Sequence, residues 1–210
     1  RFSVENILES YEFNTIEIVG DTSWMSFTPD VQTKGGWLRL QDMPTGIKDA
    51  GVVSAHNKVF AIGGYDMSPV SEVNFFRPLM NDWASAANMP TSRSNANGVE
   101  NMGNIHVIGG ETPAVTDVHE VYKPINDSWE TLQPMPTARA NVGLAVVKGR
   151  IFAIGGATTG TIYDINEMYI SGSDSWVTKA AMPTARTHFA CVAFNDKIFA
   201  IGGKIDFSDN

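Results

Sequence analysis

The chain has 210 residues, 43% of them hydrophobic and 18% charged, with a formal net charge of -8 and a sequence pI near 4.9. Length and apolar share suffice for one globular domain with a substantial core. The acidic balance, with no run of Lys and Arg, argues against nucleic-acid and anionic-membrane surfaces, and no apolar stretch approaches the roughly 20 residues that cross a bilayer.

Taken in chain order, residues 4–42 read as a degenerate first unit. Ile16-Glu17-Ile18-Val19-Gly20-Asp21 imitates a strand-ending Ile-Gly-Gly of later copies, and Phe27 and Trp37 fall where later copies place aromatic residues. A rival alignment starts from Glu9-Ser10-Tyr11, which imitates Glu120-Val121-Tyr122, and makes the same residues the last two strands of a closing unit. From residue 43 the pattern is regular. Met-Pro-Thr stands at 43, 89, 135 and 182, successive steps of 46, 46 and 47 residues, and the diglycines at 63, 109, 155 and 202 keep the same steps. Trp37, Trp83, Trp129 and Trp176 each precede a Met-Pro by six residues; Phe76, Tyr122 and Tyr169 each precede a Trp by seven.

The clearest copy spans residues 135–178. Asn141–Val147 and Arg150–Ile154 are short, β-branched apolar runs, the second ending at Gly155-Gly156; Asn166–Ile170 alternates, and a fourth strand opens at Trp176. Runs this short, bounded by turn residues, predict strands. Four strands per repeat cannot cover their own two faces, so the units must stack. The fold expected is an all-β propeller of four-stranded antiparallel blades over one domain, 1–210. Blades are expected at about 4–42, 43–85, 89–131 and 135–178, with half a blade at 182–203. Four and a half blades do not close a ring, so completion by sequence beyond these ends or by another chain is expected.

The diglycine that ends a strand, the Tyr or Phe 12 or 13 residues later and the Trp seven further on resemble the kelch repeat. The resemblance covers nearly the whole chain. It implies a propeller, and it implies protein binding as in adaptors of ubiquitin ligases or actin-associated scaffolds, in a cytoplasmic setting with an extracellular one left open. The same architecture also hosts sugar-binding and sugar-isomerising proteins, some secreted, and that is the alternative reading.

Arg93, Arg139 and Arg186 each stand four residues after a Met of Met-Pro-Thr, whereas the first copy has Ile47 there, followed by Lys48. The resemblance places such arginines near the mouth of the central channel, where a ring of guanidinium forks suits an acidic peptide. The other reading is that each Arg ties blades together through carbonyls or a carboxylate such as Glu120 or Glu167. Loops 65–71, 111–116 and 157–163 vary while the framework repeats, as recognition loops on a scaffold do. Tyr65, Asp66, Glu111 and Tyr163 are their candidate partner-binding residues.

Catalysis and cofactors are not expected. His56, His106, His119 and His188 fall at four different phases of the repeat with no metal-ligand spacing, and no Gly-x-Ser-x-Gly elbow is present. Cys191 is the lone cysteine, so no internal disulfide forms, and its strand position predicts packing rather than reactivity.

Overall fold

The structure, a computed structural model, describes residues 39–207. Nearly all of the expected blade at 4–42, with Phe27, Trp37 and the Glu9-Ser10-Tyr11 alternative, lies outside the described residues.

Each Met-Pro-Thr step opens one antiparallel sheet. The first contains β1 (Gly51–Ala55), β2 (Lys58–Ile62), β5 (Val73–Arg77) and β6 (Asp82–Ser85), hydrogen-bonded in that order. Its loop carries a small hairpin, β3 (Tyr65–Asp66) with β4 (Ser68–Pro69). The second runs β7 (Asn97–Asn101), β8 (Asn104–Ile108), β9 (His119–Lys123) and β10 (Ser128–Leu132); the third runs β11 (Gly143–Val147), β12 (Arg150–Ile154), β13 (Asn166–Ile170) and β14 (Ser175–Lys179). A last pair, β15 (Ala190–Phe194) with β16 (Lys197–Ile201), is half a blade. These are the all-β four-stranded blades that the repeats predict.

The strand run expected from Asn141 begins instead at Gly143, because Asn141 has φ of 53°. Asp49, Asn95 and His188 share that left-handed backbone at the same repeat phase, with φ of 56°, 52° and 53°. The bend lets Asn95 N–H donate to the Asp49 carbonyl and Asn141 N–H to the Asn95 carbonyl, each at 3.0 Å, linking successive blades along their innermost edge.

At the opposite edge each blade grips the chain entering it. Trp83, Trp129 and Trp176 donate their indole N–H to the carbonyls of Gln41, Ala87 and Gln133 at 2.9, 2.8 and 2.9 Å. Asp127 accepts from the Ala87 N–H and the Tyr122 hydroxyl, and Asp174 from the Gln133 N–H and the Tyr169 hydroxyl. The aromatic and indole repeat is thus a fastening as well as filler: the rings stack 5.2 to 5.4 Å apart and their polar tips find partners.

The core lies between blades. Val53, Ala55, Phe60 and Ile62 of the first meet Ile105, Val107 and Tyr122 of the second. Ile108 of the second meets Leu144, Ile151, Ala153 and Tyr169 of the third. Where the first blade offers Phe60 and Val73, the second offers His106 and His119, which hydrogen-bond to each other, Nδ1 to Nε2, at 2.8 Å. The pair is buried against Tyr169 and Trp176 of the next blade, their ring centroids 4.5 and 5.6 Å from that of His119.

Burial favours the neutral imidazoles, pulling His106 from 6.5 down to about 4; burial and the neighbouring His106 take His119 to about 3. Asp174 opposes this for His119 and Arg93 adds to it. The unfolded chain therefore binds more protons between about pH 4 and 6.5, so stability is full above 6.5 and falls as pH is lowered through that window. Two such groups give a slope of up to about 2.7 kcal/mol per pH unit. Denaturation midpoints against pH, with NMR titration of the two imidazoles, check this. A flat profile from 6.5 to 4.5, or ring signals that titrate near 6.5, contradicts it.

Candidate functional site

The repeat brings the loops after each diglycine to one side. Isolated bridges Lys48 to Tyr65, Ser94 to Glu111, Ala140 to Ala157 and Thr187 to Lys204 hold equivalent positions of the four copies in register. Below these loops stand the three arginines, and their surroundings differ.

Arg93 and Arg139 have no exposed surface. Arg93 pairs with Glu120 at 2.7 Å and donates to the carbonyls of Gly109 and Val118 at 3.0 and 2.9 Å. Arg139 pairs with Glu167 at 2.7 Å and donates to the Ala153 carbonyl at 3.1 Å. In both blades the Thr of Met-Pro-Thr completes the carboxylate: Thr91 donates to Glu120 at 2.7 Å and Thr137 to Glu167 at 2.8 Å. Burial lowers both guanidinium pKa values and the adjacent glutamate opposes it. The expectation of a solvated receptor for carboxylates is corrected for these two residues: their carboxylates come from their own blades. Arg186 is half-buried and donates to the Gly202 carbonyl at 2.8 Å; no carboxylate lies within ion-pair distance of it among the described residues.

The arginine main chain explains the diglycine. Gly64 N–H donates to the Arg93 carbonyl at 2.8 Å and Gly110 N–H to the Arg139 carbonyl at 3.0 Å. Each arginine therefore holds the previous blade by its backbone and its own blade by its side chain. At Gly109, with φ of 69°, a Cβ would stand 2.4 Å from the Arg139 carbonyl oxygen, so only glycine fits.

Of the loop residues, Tyr65 and Glu111 come together. They line a cleft of about 390 Å³ with Lys48, Asp49, Asn95 and Pro113. The Lys48 ammonium lies over the Tyr65 ring, 5.0 Å from its centroid, and Asn95 donates to Glu111 at 3.2 Å. Asp66 is exposed beside this cleft without lining it, next to Met67, which is 92% exposed. Tyr163 sits one blade further on, half-buried, its carbonyl accepting from Arg186 N–H at 3.1 Å.

Sequence reasoning overlooked the pairing of His106 with His119, whose 13-residue separation looks like no motif until β8 and β9 lie side by side. Among the described residues no group of three His, Cys, Asp or Glu side chains could hold a metal ion. Cys191 is half-buried on β15 and burial pushes its thiol up to about 11, the opposite of nucleophile activation.

The first blade tests the arginine account internally. It has Ile47 at the arginine position and Asn74 at the glutamate position, so both charges are absent together. Removing one member of a buried pair costs about 3 to 5 kcal/mol because its partner is left uncompensated. Glu120→Asn alone should therefore cost about that much. The double change Arg93→Ile with Glu120→Asn should cost less than Glu120→Asn alone, as read by chemical denaturation. A double variant that loses the sum of the two single losses contradicts a coupled pair.

Residues 138–183 match the family model described as the Kelch motif. No curated protein matches the sequence. Among solved structures 159 chains match, so the fold is a common one and does not by itself assign a function. One of them, titled "Structure of YjhT", superposes with a TM-score of 0.70 at 17% sequence identity over 79% of this chain, which spans 61% of that chain's length. At this identity the likeness shows the fold. The repeated four-stranded blades and this likeness show a β-propeller fold, and residues 138–183 carry the Kelch motif.

Proposed function

We propose that the chain is a protein-interaction module whose binding face is the loop side carrying Tyr65, Asp66, Glu111 and Tyr163. The observation that carries this is the cleft between the first and second blades, where loops that differ from copy to copy sit on a framework that repeats. Tyr65 and Met67 are its apolar anchors, of the kind that dominate interface energetics. Its charges are Lys48 with Asp49, Asp66 and Glu111 around it, which suits a segment of mixed charge better than the purely acidic one expected from three arginines. An adaptor of a ubiquitin ligase or an actin-associated scaffold is the biological setting that the resemblance adds to this proposal.

The competing reading is a sugar site, favoured by a tyrosine ring beside an amide and a carboxylate in one cleft. Both are tested on the same pair of samples. Wild-type chain and a Tyr65→Ala, Met67→Asp variant are compared in affinity capture with mass spectrometry, in a glycan array and in thermal melting. The proposal predicts a captured protein that the variant loses at unchanged melting temperature. A glycan signal lost in the variant, with no such protein, overturns protein binding. Equal capture by both overturns the loop face.

A further inference from the structure

The second blade departs from its neighbours on the face that it turns to the third. The cross-strand pair on that face is Phe60 with Phe75 in the first blade, Phe152 with Met168 in the third, and His106 with Val121 in the second. His106 keeps the place of Phe60: each ring stands 6.0 Å from the tyrosine of the next blade, Tyr169 for His106 and Tyr122 for Phe60. The ring without a counterpart is that of Phe75, which lies 5.4 Å from Phe60 with the Lys58 ammonium over it. On the second blade that face borders a cleft of about 320 Å³, closed on the other side by Tyr169. His106 and Val121, 5% and 4% exposed, belong to its floor, and Asn104, Lys123 and Glu130 to its more exposed edge. This volume is at the lower end of small-molecule sites, which run from about 300 to 1,000 Å³.

The first blade shows that a six-membered ring fits this place, and His106 adds a polar demand. Its Nδ1 is engaged by His119, so Nε2 is the ring nitrogen left for the cleft. In a neutral pair Nε2 is an N–H or a lone pair, according to which histidine donates to the other, and a hydroxyl answers either. We propose that the cleft between the second and third blades binds a small phenol, its ring over Val121 where the first blade has Phe75, and its hydroxyl on His106 Nε2. The ring gains offset or edge contacts with the imidazole and with Tyr169 at separations that these blades already use. A ring without the hydroxyl leaves the buried Nε2 unpaired, which selects against it. The cleft opens beside the β7–β8 and β13–β14 turns, at the other end of the strands from loops 111–116 and 157–163. It therefore goes beyond the loop reading and does not rest on it.

The test titrates p-cresol and, separately, toluene into the 210-residue chain at pH 7, followed by NMR of the Val121 methyls and the His106 ring. Saturable binding of p-cresol is expected, with intermolecular NOEs from its ring protons to Val121, and toluene should bind roughly tenfold more weakly or less. Val121→Phe gives the second blade the ring of the first; it should abolish p-cresol binding while the melting temperature stays at or above that of the unaltered chain. His106→Phe should remove the preference for p-cresol over toluene, and Tyr65→Ala should change neither affinity. The NOEs in the unaltered chain locate the ring whether or not either cleft variant folds. Unsaturable p-cresol binding, equal affinity for toluene, NOEs only to residues outside the cleft, or undiminished binding to a folded Val121→Phe chain overturns the proposal.

Discussion

Two buried ion pairs, Arg93 with Glu120 and Arg139 with Glu167, fix the relation of one blade to the next. A guanidinium with no exposed surface must have its charge balanced and its donors satisfied. The glutamate, the threonine hydroxyl that completes it and a set of strand-end carbonyls balance the charge and engage the Nη donors from a single blade, while each Nε is buried without a partner among the described residues. That set of bonds fixes the arginine backbone, and the arginine carbonyl is then where the previous blade's second glycine docks. The diglycine follows from this approach: a Cβ at Gly109 would collide with that carbonyl. Met-Pro-Thr, the arginine, the diglycine and the glutamate are parts of one device that recurs every 46 or 47 residues.

This device moves the question of function away from the arginines. Charges enclosed in a blade and already paired cannot select a partner, which leaves the loop side, where the framework imposes no sequence and Tyr65, Lys48 and Glu111 form a cleft. Of the two readings of the arginines, clamp and receptor, the clamp describes Arg93 and Arg139.

Much of the fold was legible because its markers are covalent in origin. Proline cannot donate to a ladder, glycine alone tolerates the close approach after β2, β8 and β12, and large rings need burial, so Met-Pro, Gly-Gly and Trp repeat visibly. The arginine to glutamate pairing was legible only as one of two alternatives, since 27 residues separate Arg93 from Glu120 and sequence does not reveal which carboxylate a guanidinium meets. The left-handed residues at 49, 95, 141 and 188 escaped notice because one demand is met there by Asp, Asn, Asn and His, with no letter common to all four. The histidine pair escaped for a related reason: His106 and His119 occupy positions that the blade before them fills with Phe60 and Val73, so that copy does not mark them as polar partners. Specificity of the loops is the least legible part, because loops vary by insertion and their contacts are not periodic.

Hydrogen exchange of the guanidinium protons tests the central claim most directly. In nitrogen-15 NMR at neutral pH, the account predicts slowly exchanging, individually resolved side-chain N–H signals for Arg93 and Arg139, which are enclosed and paired. Arg39, whose ion pair with Asp42 is solvent-exposed, should exchange quickly. Rapid exchange at Arg93 and Arg139 on the same scale as Arg39 would mean that water reaches both pairs, and that the blades are held together by something other than these clamps.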